Sequence, residues 1–161
     1  MGLDMYLEGR KYFSRADFDK GYNPESGYSN TPEYDAIMSA AGLTGLDKEG
    51  TGGLTVSFAA GYWRKQNAIH NWFVKNVGNN IDECQEMWVT RENLETLKTM
   101  CQLVLSVPIR AKEFLPTQSG FFFGSTEFDD WYFQGLIDTI GIIDRCLAMP
   151  TDIDFYYQAS W

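Results

Sequence analysis

The sequence predicts an α+β fold: a single domain of about four helices packed on a small, mainly antiparallel sheet that includes both chain ends. Three observations predict it. Residues 2–13 put Leu3, Met5 and Leu7 on one side of an extended chain and Asp4, Tyr6 and Glu8 on the other, the two-residue period of a half-buried strand. Later stretches space apolar residues by three and four positions, behind capping residues and ahead of a Gly or Pro stop. The chain is 161 residues long and 44% hydrophobic, enough to bury one core and too apolar for disorder.

Taken in order, the first strand carries Gly9 as a bulge or turn position. Residues 14–30 hold Asn23-Pro24, Ser26-Gly27 and Ser29-Asn30 and read as a loop. Thr31-Pro32-Glu33 starts a helix with a capping hydroxyl, a proline at the first helical position and an acid in the first turn. Its stripe is Tyr34, Ile37, Met38 and Ala41, and Gly42 stops it. Gly45 to Thr51 superficially resembles a phosphate loop but lacks the lysine, so residues 42–53 read as a connector. Leu54–Phe58 alternates as a second strand.

Residues 62–77 read as the central helix, with Trp63, Gln66, Ile69 or His70, Phe73 and Val77 along one face and Gly78-Asn79-Asn80 as its stop. Glu86–Val89 reads as a short strand. Thr90 caps a helix over 91–107, with Leu94, Leu97, Cys101, Val104 and Leu105 inward and Pro108 closing it. Phe121–Phe123, between glycines, suits a short strand covered on both faces. Thr126-Glu127-Phe128-Asp129 starts a helix over 127–149. Its stripe is Trp131 or Tyr132, Phe133, Leu136, Ile137, Ile140, Ile143 and Leu147. Residues 152–161 read as a last strand able to pair with Phe121–Phe123.

The net charge is −9. That disfavours nonspecific binding to nucleic acid or to an anionic membrane, both of which need cationic surface. The three cysteines, Cys84, Cys101 and Cys146, are odd in number and form no C-x-x-C pair, and no apolar run is long enough to span a bilayer. With no signal peptide or lipidation pattern, a reducing cytoplasm and free thiols are expected. His70 is alone, with Cys84 its nearest cysteine, so zinc is not expected. Glu127, Asp129 and Asp130 suit a helix N-terminus, and Asp152 with Asp154 a solvated strand edge.

Met1 to Leu7, the Tyr62-Trp63-Arg64-Lys65 to Val74 block, Leu115 to Thr126, and the ending Phe155-Tyr156-Tyr157-Gln158 with Ser160-Trp161 resemble a family of small phage and prophage proteins. Residues 13–53 fall outside the resemblance, as a variable loop and helix insertion in the single domain 1–161. The resemblance implies a setting, the cytoplasm of a host bacterium and action against host functions such as immunity. It carries over no catalytic residue and no cofactor.

The residues themselves point to a ligand. Arg64 and Lys65, placed in the first turn of a helix, oppose its macrodipole, and an internal acid or a bound anion offsets that cost. The candidate site is Trp63, Arg64, Lys65, Asn67, His70, Trp72, Gln118 and Ser119. Trp63 or Trp72 stacks on a base, Arg64 and Lys65 hold phosphate, and the rest give polar contacts. The expected function is counter-defence by sequestering a small anionic, nucleotide-type ligand without catalysis. One alternative is an acidic inhibitor that occupies a basic host protein site; another is a small hydrolase using His70 and carboxylates. Homo-oligomers stay open, and no metal is called for.

Overall fold

A computed structural model describes residues 2–45 and 52–161. The fold is α+β, with a four-stranded antiparallel sheet in the order β2-β1-β4-β3. The strands are β1 (Asp4–Ser14), β2 (Gly53–Arg64), β3 (Met87–Val89) and β4 (Ile153–Ser160). The N-terminal and C-terminal strands are thus neighbours at the centre of the sheet, and β2 and β3 are its edges. The helices are α1 (Pro32–Ala40), α2 (Asn67–Asn76), α3 (Arg91–Ser106), the single turn α4 (Ala111–Phe114) and α5 (Asp130–Ala148). Contacts divide the chain into two compact units, residues 1–9 with 58–161, and residues 10–57. The long strands β1 and β2 contribute residues to both.

In the larger unit, β4 alternates between buried and open positions along its length. Ile153, Phe155, Tyr157 and Ala159 face inward, joined from β1 by Leu3, Met5 and Leu7. That apolar face meets α2, α3 and α5. Every expected core position of α3 behaves as its period predicts: Leu94, Leu97, Cys101 and Val104 are sealed, and Leu105 packs at the margin. Thr90 closes a reciprocal capping box with Asn93, which satisfies two N–H groups that a helix start leaves bare. The Arg91 guanidinium crosses to the end of α5, donating to the carbonyls of Leu147 (3.1 Å) and Met149 (3.1 Å). Those carbonyls have no partner inside their own helix. Gly9 is not a turn position. It lies within β1, and the missing side chain makes room for the ring of Phe58, which an added Cβ would meet at 2.4 Å.

In the smaller unit, Thr31 accepts from the Tyr34 N–H at 3.3 Å and donates to the Ser14 carbonyl at 2.7 Å. One hydroxyl therefore both starts α1 and ties it to β1. Gly42 takes a φ of +69° beyond the helix end, a conformation that favours glycine. Most of the Gly45–Thr51 stretch lies outside the described residues.

Four expectations need correction. Residues 62–64 finish β2, and α2 starts only at Asn67. Trp63 obeys the strand's period, and the chain reverses at Lys65, which has a φ of +54°. Phe121–Phe123 forms a turn and pairs with no strand; β4 lies between β1 and β3 instead. The flanking glycines let the chain fold back there, so Phe123 alone of the three is buried and Phe121 is 95% exposed. Helix α5 begins three residues later than expected, because Asp129 rather than Thr126 caps it, accepting from Tyr132 N–H at 3.0 Å. That start turns Tyr132 inward and leaves Trp131 and Ile137 in solvent.

Candidate functional site

Helix α2 is short and carries polar side chains on faces that are nevertheless buried, including Asn67, His70 and Asn71. Buried amides need partners, and these find them in the segment after α4. The Asn67 amide donates to the carbonyls of Phe123 (3.0 Å) and Ser125 (2.7 Å), and its oxygen accepts from the Gln118 N–H at 3.1 Å. Asn71 donates to the Pro116 carbonyl at 3.0 Å. A loop with few hydrogen bonds of its own is thus held by two asparagines four residues apart on one helix face.

His70 is completely buried. Its Nδ1 lies 2.8 Å from the Tyr157 hydroxyl and its Nε2 3.0 Å from Asp82 Oδ1. Burial lowers its pKa below the ordinary 6.5, and the nearby Asp82 carboxylate offsets only part of that. The ring is therefore neutral. A carboxylate can only accept, so Nε2 carries the proton and Nδ1 accepts from Tyr157. Gln118 reaches the other Asp82 oxygen at 3.4 Å. The order hydroxyl, imidazole, carboxylate is that of a nucleophile with its base and orienting group. Here the hydroxyl is wholly buried and its own pKa is driven well above 10 by desolvation. The row holds the β4 strand to α2 and offers no open nucleophile.

Beside this hub, where β2 passes α5, lies a cleft of about 210 Å³ lined by Tyr62, Trp63, Arg64, Gln66, Trp131, Gln134, Gly135 and Asp138. Tyr62 and Trp131 are 49% and 59% exposed, so their rings are available to a ligand. The Tyr62 hydroxyl donates to the Asp4 carboxylate, which raises its pKa. The Arg64 guanidinium is largely in solvent, with Asp4 at 4.0 Å as a loose counter-charge. Gln134 donates to Asp138 at 2.9 Å. The cleft floor is fixed by close packing: a Cβ at Gly135 would meet the Gln66 amide at 2.0 Å, and Trp63 Nε1 donates to Thr139 at 2.9 Å.

The sequence-predicted residues therefore separate into groups. Trp63, Asn67, His70 and Trp72 are buried, with only Trp63 showing an edge to the cleft. Arg64 lines the cleft, whereas Lys65 lines an adjoining crevice of only about 10 Å³. Gln118 lies at the His70–Asp82 pair, and Ser119 is exposed on its loop. With α2 starting at Asn67, neither cation stands in its first turn, so the macrodipole argument for an anion no longer applies. Tyr62, Trp131, Gln134 and Asp138 were missed. Placing 62 on a helix and 131 on a buried stripe concealed that both rings point outward. A larger hollow of about 530 Å³ in the 10–57 unit, with Arg15, Phe18, Tyr22 and Tyr28 on its walls, was likewise missed. Three aromatic rings in a stretch of turn formers were its signal. Among the described residues, no three His, Cys, Asp or Glu side chains gather as metal ligands, and no helix is long and apolar enough to cross a membrane. Comparison with protein-family models, curated proteins and solved structures found no match.

Proposed function

We propose that this protein binds a small, ring-bearing anion of nucleotide type and sequesters it without chemical change, in the manner of a phage counter-defence protein. The cleft between β2 and α5 carries the reading: two exposed rings and one arginine line the same 210 Å³ space. Base-to-ring stacking contributes about 1–3 kcal/mol per base, and an exposed guanidinium can meet a phosphate through two parallel N–H donors. The volume lies below the range of about 300–1,000 Å³ usual for drug-sized ligands. One ring system fills it, and the phosphate lies outside, at Arg64. The phage setting rests on the resemblance of the Tyr62–Val74 and Leu115–Thr126 blocks.

Calorimetry against a panel of linear and cyclic nucleotides tests the reading. We expect at least one to bind, with Arg64→Ala weakening it by about 1–3 kcal/mol, the effect of losing a hydrogen bond to a charged group. Trp131→Ala removes the stacking ring and lowers affinity by a similar amount. Neither change shifts the melting temperature much, since exposed side chains contribute little to folding. A flat titration with every nucleotide overturns the proposal.

A further inference from the structure

The face of the sheet opposite the core carries two pairs of aromatic rings. On the β3–β4 edge, Trp88 stands directly across from Tyr156, and Trp88 is 58% exposed. On the β1–β2 edge, Tyr6 and Tyr62 lie with ring centroids 5.4 Å apart, each about half exposed. Because side chains alternate along a strand, the inward positions Leu7, Phe155, Tyr157, Met87 and Val89 place Tyr6, Tyr156 and Trp88 on one common face. The same alternation brings Asp4, Glu8 and Asp154 to that face. In the unit formed by 1–9 and 58–161, Arg64 is the one cation on the described strands of this face.

A solvated sheet face ordinarily carries Lys, Thr and other polar groups. A tryptophan opposite Tyr156 gains the modest stabilisation of a cross-strand pair while leaving more than half of its surface in solvent. Trp and Tyr are also the side chains that dominate binding energy at protein interfaces. We infer that this face docks a protein surface rich in arginine, with guanidinium groups lying on the Trp88 and Tyr6 rings and pairing with the carboxylates beside them. The charge decides the partner's chemistry. Acids among rings repel an acidic surface or a nucleic acid backbone, and the whole chain is at −9. Arginine fits better than lysine, since its planar group stacks on an aromatic face and bridges a carboxylate through paired donors. The inference is argued from Trp88 and Tyr6, which do not line the cleft, although Tyr62 beside Tyr6 borders both the face and the cleft.

Titration with nona-arginine and nona-lysine peptides at physiological salt tests it, followed by tryptophan fluorescence and calorimetry. Nona-arginine is expected to bind at least five-fold more tightly than nona-lysine. Trp88→Ala and Tyr6→Ala should each weaken the arginine peptide about five-fold or more and leave the lysine peptide unchanged, with native far-UV circular dichroism. Phe121→Ala, at an exposed ring that lies off the strands and lines no cleft described above, serves as the control and leaves both affinities as they are. Equal affinity for the two peptides, or indifference to Trp88→Ala, reduces the effect to net charge and overturns the inference. So does sedimentation showing a dimer that Trp88→Ala dissociates, since a second copy is then the occupant.

Discussion

His70 shows how a single residue can look functional and be structural. It is the only histidine in the chain, it lies in a block rich in aromatic rings, and it accepts and donates in a row with Tyr157 and Asp82. Removing the ring by His70→Ala leaves a cavity, takes away the acceptor of the buried Tyr157 hydroxyl and leaves Asp82 with the Gln118 amide. We expect a loss of about 3 kcal/mol of stability, readable as a lower denaturant midpoint. The pH dependence follows from the direction of the shift. The folded ring has a lowered pKa, so the unfolded chain binds a proton more readily near pH 6.5. Stability is then fully present above about 6.5 and falls as pH drops below it. Chemical denaturation from pH 7.5 to 5 should show this fall, and His70→Ala should flatten that component. The cysteines divide by burial in the same way. Burial pushes the Cys101 thiol up to about 12 and Cys146 to about 11, whereas Cys84 is only partly covered. Since the thiolate is the reactive form, a thiol reagent should label Cys84 alone in the native protein and all three residues in denaturant.

Among the elements, the ones bounded by capping chemistry were legible, and the ones bounded by tertiary contacts were not. Thr31-Pro32 and Thr90 named the starts of α1 and α3, because a hydroxyl placed before the first turn does the same work in any fold. Nothing local announced that β2 runs on to Arg64. The Tyr62–Phe73 spacing fits a helical stripe almost as well as a strand followed by a helix, and the true junction depends on Lys65 N–H donating to the Leu3 carbonyl at 2.8 Å. The Phe121–Phe123 turn was likewise decided by distant residues, Asn67 above all. Arg91 supplies a test at this scale. It was read only as the first residue of a helix, yet it closes the far end of α5 and lies over the Phe155 ring at 5.6 Å. Arg91→Ala should cost about 2 kcal/mol through those lost charged hydrogen bonds. Arg91→Lys, with a point charge in place of a fork, should recover less than half of it. Thermal unfolding of the two variants measures both.

At the scale of the whole molecule, fold class was written in composition and periodicity, but the placement of the candidate site was not. Residues 63, 67, 70 and 72 cluster in space as they do in sequence, and they cluster inside. What opens to solvent beside them is set by which ring of the Trp131-Tyr132 pair turns inward, in a helix that Asp129 rather than Thr126 caps. Charge, by contrast, is a property that no folding detail can reverse. At −9 the surface offers a polyanion few phosphate contacts, and affinity for duplex DNA comes chiefly from cations that displace counterions from it. A mobility-shift assay with duplex DNA at physiological salt should therefore show no complex into the micromolar range. Lowering the salt sharpens the test. A genuine cationic groove would gain orders of magnitude in affinity as counterion release grows more favourable, whereas an acidic protein, repelled at longer range when screening is weak, should gain nothing. A salt-dependent micromolar complex would mean a basic surface that the named residues do not supply. It would also count against the arginine-rich partner assigned to the Trp88–Tyr156 and Tyr6–Tyr62 face, since that face was assigned on its acids.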